Sequence, residues 1–92
     1  KTNIMEIIEF IYSDKKEANI EKYGDEGNSC ECCGKPLKEK RFYVNTIEGP
    51  DVVLPHTTEE EMAANGYETQ GIFYLGSACI KKYPKEFRGE IR

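Results

Sequence analysis

The chain has 92 residues, 38% of them hydrophobic and 33% charged, with a formal net charge of −4. That balance suits one small globular domain and excludes a disordered tail; a core of this size is commonly supplemented by a metal or by disulfides. No run approaches the roughly 18 apolar residues of a membrane span, so no membrane role is expected.

Residues 1–27 are expected to be helical. Ile4, Ile7, Ile8 and Ile11 fall on one stripe at helical spacing, with Thr2 or Asn3 as N-cap, and Met5 and Phe10 widen the stripe. A second helix, or a continuation of the first, begins near Ser13 or Asp14 and stops at Gly24. After a loop, residues 30–40 read as an irregular turn. Residues 41–47 are rich in aromatic and β-branched side chains and predict a strand; a shorter one at 52–54 ends at Pro55. Residues 57–66 predict a helix capped by Thr57 or Thr58 and closed by Gly66. A strand follows over 71–76, then a helix capped by Ser77 and stopped before Pro84, then a tail with a turn or short strand. Phe42, Val44, Ile72 and Tyr74 alternate at period two and are expected to face the core.

Three of the four cysteines lie in "CECCGKPL". Cys30 and Cys33 make a C-x2-C pair followed by Gly34, a spacing that lets two thiolates from one tight turn reach a single ion at about 2.3 Å. The glycine supplies the positive φ such a turn needs, and the turn's amides can donate to the sulfurs. Cys79 sits in the first turn of a predicted helix, where the free amides favour a thiolate. The spacing therefore predicts one structural Zn2+ on Cys30, Cys33 and Cys79. Structural zinc takes four N or S ligands. The fourth candidate is His56, the only histidine, with Cys32 as the alternate and a carboxylate such as Asp25 or Asp51, or a water, behind them. A disulfide framework fits poorly with a chain lacking an apolar leader near its start, and a thioredoxin-like pair would follow a strand and open a helix. A thiol-reducing, cytoplasmic setting is expected.

Knuckle, hairpin, then a helix with a cysteine in its first turn is the plan of the treble-clef zinc finger. The chain resembles that family over roughly residues 28–83, on "CECCGKPL" and "YLGSACIKKYP". The ending "GSACIKK" looks like the G-x-x-C-x-x-K close of small treble-clef modules in phage and mobile-element proteins. It departs at Gly76, where the family's second C-x2-C often has its first cysteine. The expected fold is α+β: a helical segment over 1–27, a treble-clef-like core over 28–83 with an acidic insertion at 47–69, and a tail at 84–92.

No catalytic set is evident, and a non-enzymatic role is expected. Treble-clef nucleases use more than one histidine, and the deaminase, P-loop, Rossmann and G-x-S-x-G patterns are missing. Charge is unevenly spread: residues 29–46 and 70–92 carry net +2 and +3, whereas 47–69 carries net −6. Two binding readings follow. In one, the chain is a zinc-stabilised adaptor, monomeric or homodimeric, whose acidic loop and basic flanks meet a protein partner. In the other it contacts nucleic acid through Arg41, Lys81, Lys82, Lys85 and Arg88, interleaved with Tyr43, Tyr83 and Phe87. A sequence pI near 5.1 weighs against the second.

Overall fold

The chain's computed structural model, which describes residues 5–24 and 28–91, is α+β. In order run β1 (Ile7–Glu9), α1 (Lys16–Tyr23), β2 (Phe42–Ile47), β3 (Asp51–Val53), α2 (Glu59–Ala64), β4 (Thr69–Leu75), α3 (Ser77–Ile80), a 3-10 turn (Lys85–Phe87) and β5 (Gly89–Glu90). The strands form one antiparallel sheet in the order β1-β3-β2-β4, with β5 also on β2. β4 pairs with β2 along its whole length. β3 and β5 therefore share the other edge of β2 end to end, β3 opposite Asn45 to Ile47 and β5 opposite Phe42 and Tyr43.

The expected N-terminal helix over the isoleucine stripe is replaced by β1, an edge strand on β3. Branching at Cβ restricts isoleucine in a helix and suits it to a pleated surface. Neighbouring side chains on a strand point to opposite faces. Ile8 accordingly joins one buried cluster, with Val44, Val52, Leu75 and Tyr83, and Ile7 joins the other, with Ile47, Val53 and Met62. A sheet covered on both sides satisfies both residues, which a one-sided stripe would not. Ile4 and the proposed caps Thr2 and Asn3 lie outside the described residues. Of the helix pair, α1 alone forms; Gly24 ends it with φ +84° and donates to the Ile20 carbonyl.

The inward set on β4 also differs by one residue from the expected alternation. The register pairs Phe42 with Leu75 and Val44 with Phe73, and cross-strand partners share a face. Phe73 and Leu75 therefore pack inward, and Ile72 is 48% exposed. The acidic insertion folds onto the opposite face. Thr58 caps α2 by accepting from the Glu61 amide at 3.1 Å, and Met62 anchors the helix on Ile47 and Val53. Among the described residues no helix is long and apolar enough to cross a membrane.

Candidate metal centre

The turn bearing Cys30 and Cys33 is pinned from several sides. Within it, the Cys30 amide donates to the Lys35 carbonyl at 2.8 Å and the Gly34 amide to the Cys30 carbonyl at 2.7 Å. The Glu31 amide donates to the Tyr74 carbonyl of β4, and the Ser13 amide to the Cys32 carbonyl. Asn19 of α1 donates through Nδ2 to the Cys33 carbonyl at 2.7 Å. Gly34 has φ +77°, and a Cβ there would lie 2.8 Å from the Lys16 carbonyl oxygen. Gly34→Ala is therefore expected to cost about 2–4 kcal/mol, from the left-handed backbone and the overlap together. A urea melt that leaves the midpoint unchanged would contradict it.

The sulfurs of Cys30, Cys33 and Cys79 all lie within 4.8 Å of one another, and this trio can hold a metal ion. Forty-five residues separate Cys33 from Cys79, and the β2–β4 pairing brings them together: β4 ends at Leu75 beside Phe42, and α3 starts two residues later. Gly76 donates its amide to Cys30 Sγ at 3.3 Å. Burial would push the Cys30 thiol up, but the amides of Gly76, Cys33 and Cys32 outweigh it and hold the thiol below its ordinary value. Against the expectation that helix-start amides favour a thiolate there, Cys79 is pushed well up, first by burial, then by the Cys32 thiol, by the charge on Cys30 and by the thiols of Cys33 and Cys30. One thiolate is thus welcome and a second is not until a cation lies between them. Three sulfur donors so placed would suit a soft or borderline ion.

The other candidate ligands do not join this trio. His56 is exposed in the turn after β3, where Asn45 Nδ2 donates to the Thr57 carbonyl at 3.0 Å. Asp51 begins β3 opposite Ile47, at the far end of β2 from Phe42. Asp25 lies outside the described residues. Cys32 is fully buried in the core cluster, with Lys82 Nζ 3.8 Å from its sulfur.

The five basic residues are divided among different tasks. Arg41 pairs with Glu90 at 3.0 Å, and Arg88 donates to the carbonyls of Tyr83 and Lys81. Lys82 turns to Cys32, while Lys81, Lys85 and Arg88 line one hollow with Phe42 and Glu90. The interleaved aromatics Tyr83 and Phe87 are core residues, unavailable for stacking on a base. Sequence reasoning missed Asn19 of α1 and Lys82 of the turn after α3 as supports of the cysteine turn; a lone polar side chain carries no signal of which carbonyl or sulfur it will meet. In comparison with known proteins, no family model, no curated protein and no solved structure matches the chain.

Proposed function

We propose that the chain is a non-catalytic zinc-binding interaction module of the treble-clef kind. One structural zinc, on Cys30, Cys33 and Cys79, locks the N-terminal turn to α3. The carrying observation is that three thiols from two distant segments lie within 4.8 Å of one another. The succession of cysteine turn, paired β2 and β4, and α3 supports the treble-clef reading. All-thiolate donors favour zinc over magnesium or calcium. No histidine or carboxylate stands among the described residues lining the hollow over the trio, so a general base for hydrolysis has no candidate there. For the partner, Glu59, Glu60 and Glu61 are all exposed in the first turn of α2 and favour a basic protein surface.

Native mass spectrometry is expected to find one zinc per chain. Cys30→Ser, Cys33→Ser and Cys79→Ser are each expected to lose it, and Cys32→Ser and His56→Ala to keep it. A metal-free chain with an unchanged cooperative melt would overturn the reading. Lys81, Lys85 and Arg88 on one hollow are what remains of the nucleic-acid alternative; micromolar binding of single strands that weakens steeply with salt would favour it instead.

A further inference from the structure

We propose that the metal on Cys30, Cys33 and Cys79 keeps one coordination position open to solvent and takes there a carboxylate from outside the chain; this rests on the metal reading above. The three cysteines line a surface hollow of about 350 Å³, so the donor set is reachable from outside rather than sealed. No fourth donor of the chain joins the trio among the described residues. Cys32 meets Cys79 through its thiol but is buried, does not line the hollow and is not one of the mutually close sulfurs, and Gly76 brings only its amide, which is already spent on Cys30. Three protein ligands with an accessible fourth position is the arrangement that lets zinc exchange a small ligand.

Charge selects the class of that ligand. The hollow is rimmed by Lys15, Lys35 and Lys82, with no aspartate or glutamate among its described lining. A divalent ion with three thiolates carries a net charge of about −1, and the three ammonium groups make the neighbourhood positive again. Any donor gains a bond to the metal; the rim, three positive charges against about one negative, adds attraction for an anionic oxygen donor that a neutral amine or imidazole lacks. The volume suits a small acid or a single acidic side chain presented by another protein.

The test uses the Co2+-substituted full chain, whose visible ligand-field bands report the coordination sphere. Acetate and an amidated glutamate tripeptide are titrated separately at constant ionic strength. A saturable shift of the bands with either probe is expected, and the tighter of the two identifies the free acid or the acidic side chain as the source. Lys15→Glu combined with Lys35→Glu should weaken the shift about tenfold while leaving cobalt affinity within a few-fold, since both lysines are exposed. Gly76→Cys should abolish the shift by supplying an internal donor. A Cβ there meets only Leu37 Cδ2, at 3.6 Å, and φ −74°, ψ 167° suits any residue. Tetrahedral thiolate–cobalt bands that neither probe moves would overturn the open position and leave the metal reading standing. Absence of such bands would overturn both. Should Gly76→Cys fail to fold, the wild-type titration decides alone.

Discussion

Removing the metal with a strong chelator is expected to abolish the cooperative thermal melt, and restoring zinc to recover it. The comparison of magnitudes decides this. Structural zinc in small domains contributes on the order of 10 kcal/mol of apparent binding free energy, which is also folding free energy. A domain of this size has a total stability of about 5–10 kcal/mol. The loss cannot stay local, because Cys30, Cys32 and Cys79 belong to the same buried cluster as Val44, Leu75 and Tyr83. Hydrogen exchange should show the amides of Cys30, Glu31 and Gly34 opening first, since each donates within or across the cysteine turn. Amides beside Ile47, Val53 and Met62 should open last, because that cluster lies on the other face of the sheet. Metal affinity should fall as pH falls, since the thiols must lose their protons to bind. Cys79, whose thiol is pushed well up, is the one of the three expected to resist deprotonation. Cys79→Ser should reproduce the chelated state in zinc-containing buffer. Identical melts with and without chelator would show that the apolar core suffices.

Spacing alone made the cysteine pairing legible. C-x2-C with a following glycine suits a tight turn that brings two thiols together, and a cysteine opening a helix after a strand can return to it only if the two longer strands pair. They do, from Phe42 opposite Leu75 to Ile47 opposite Thr69. The caps of α2 and the stop of α1 were legible for the same reason: Thr58 and Gly24 have one local task each. The N-terminal stretch was not legible. Isoleucines at positions 4, 7, 8 and 11 fit a helical stripe, and adjacent Ile7 and Ile8 equally fit a strand buried on both faces. Only the presence of α2 on the second face separates the two patterns, and that is tertiary information. The role of His56 was open because a histidine after Pro55 reads alike as a ligand or as a surface residue; its exposure in the turn after β3 follows from Asn45 tying the Thr57 carbonyl beside β2.

Tyr83→Ala is expected to cost about 3–5 kcal/mol, by analogy with other large-to-small changes of buried aromatics, and to lower the denaturant midpoint sharply even with zinc present. Tyr83 is 1% exposed, one of the largest fully buried side chains, and its ring lies 6.1 Å from that of Phe10, which itself meets Phe73 edge-on at 5.3 Å. It stands four residues beyond Cys79, so it joins the Cys79-bearing segment to β1 and β4. Its hydroxyl accepts the Ile11 amide at 2.7 Å, holding the end of β1 against that segment. Tyr83→Phe keeps the ring and removes this bond. Because Ile11 is 38% exposed, water can replace the partner, and the expected loss is about 1 kcal/mol with zinc affinity unchanged. The pair of variants therefore separates packing from the hydrogen bond. Alkaline pH gives an independent check. Burial, the largest cause, pushes Tyr83 up to about 12; the Ile11 amide pulls it down, and negative charge on Cys32, Cys79 and Cys30 pushes it up. An unfolded tyrosine titrates near pH 10. Between about pH 10 and 12 the folded chain keeps a proton that the unfolded chain has lost, so stability present below pH 10 drains away as the pH rises. Denaturant melts at pH 9 and 11 should show that loss in the wild type and a smaller one in Tyr83→Phe. Equal losses in both would place the alkaline sensitivity elsewhere, in the thiols or the lysines around them.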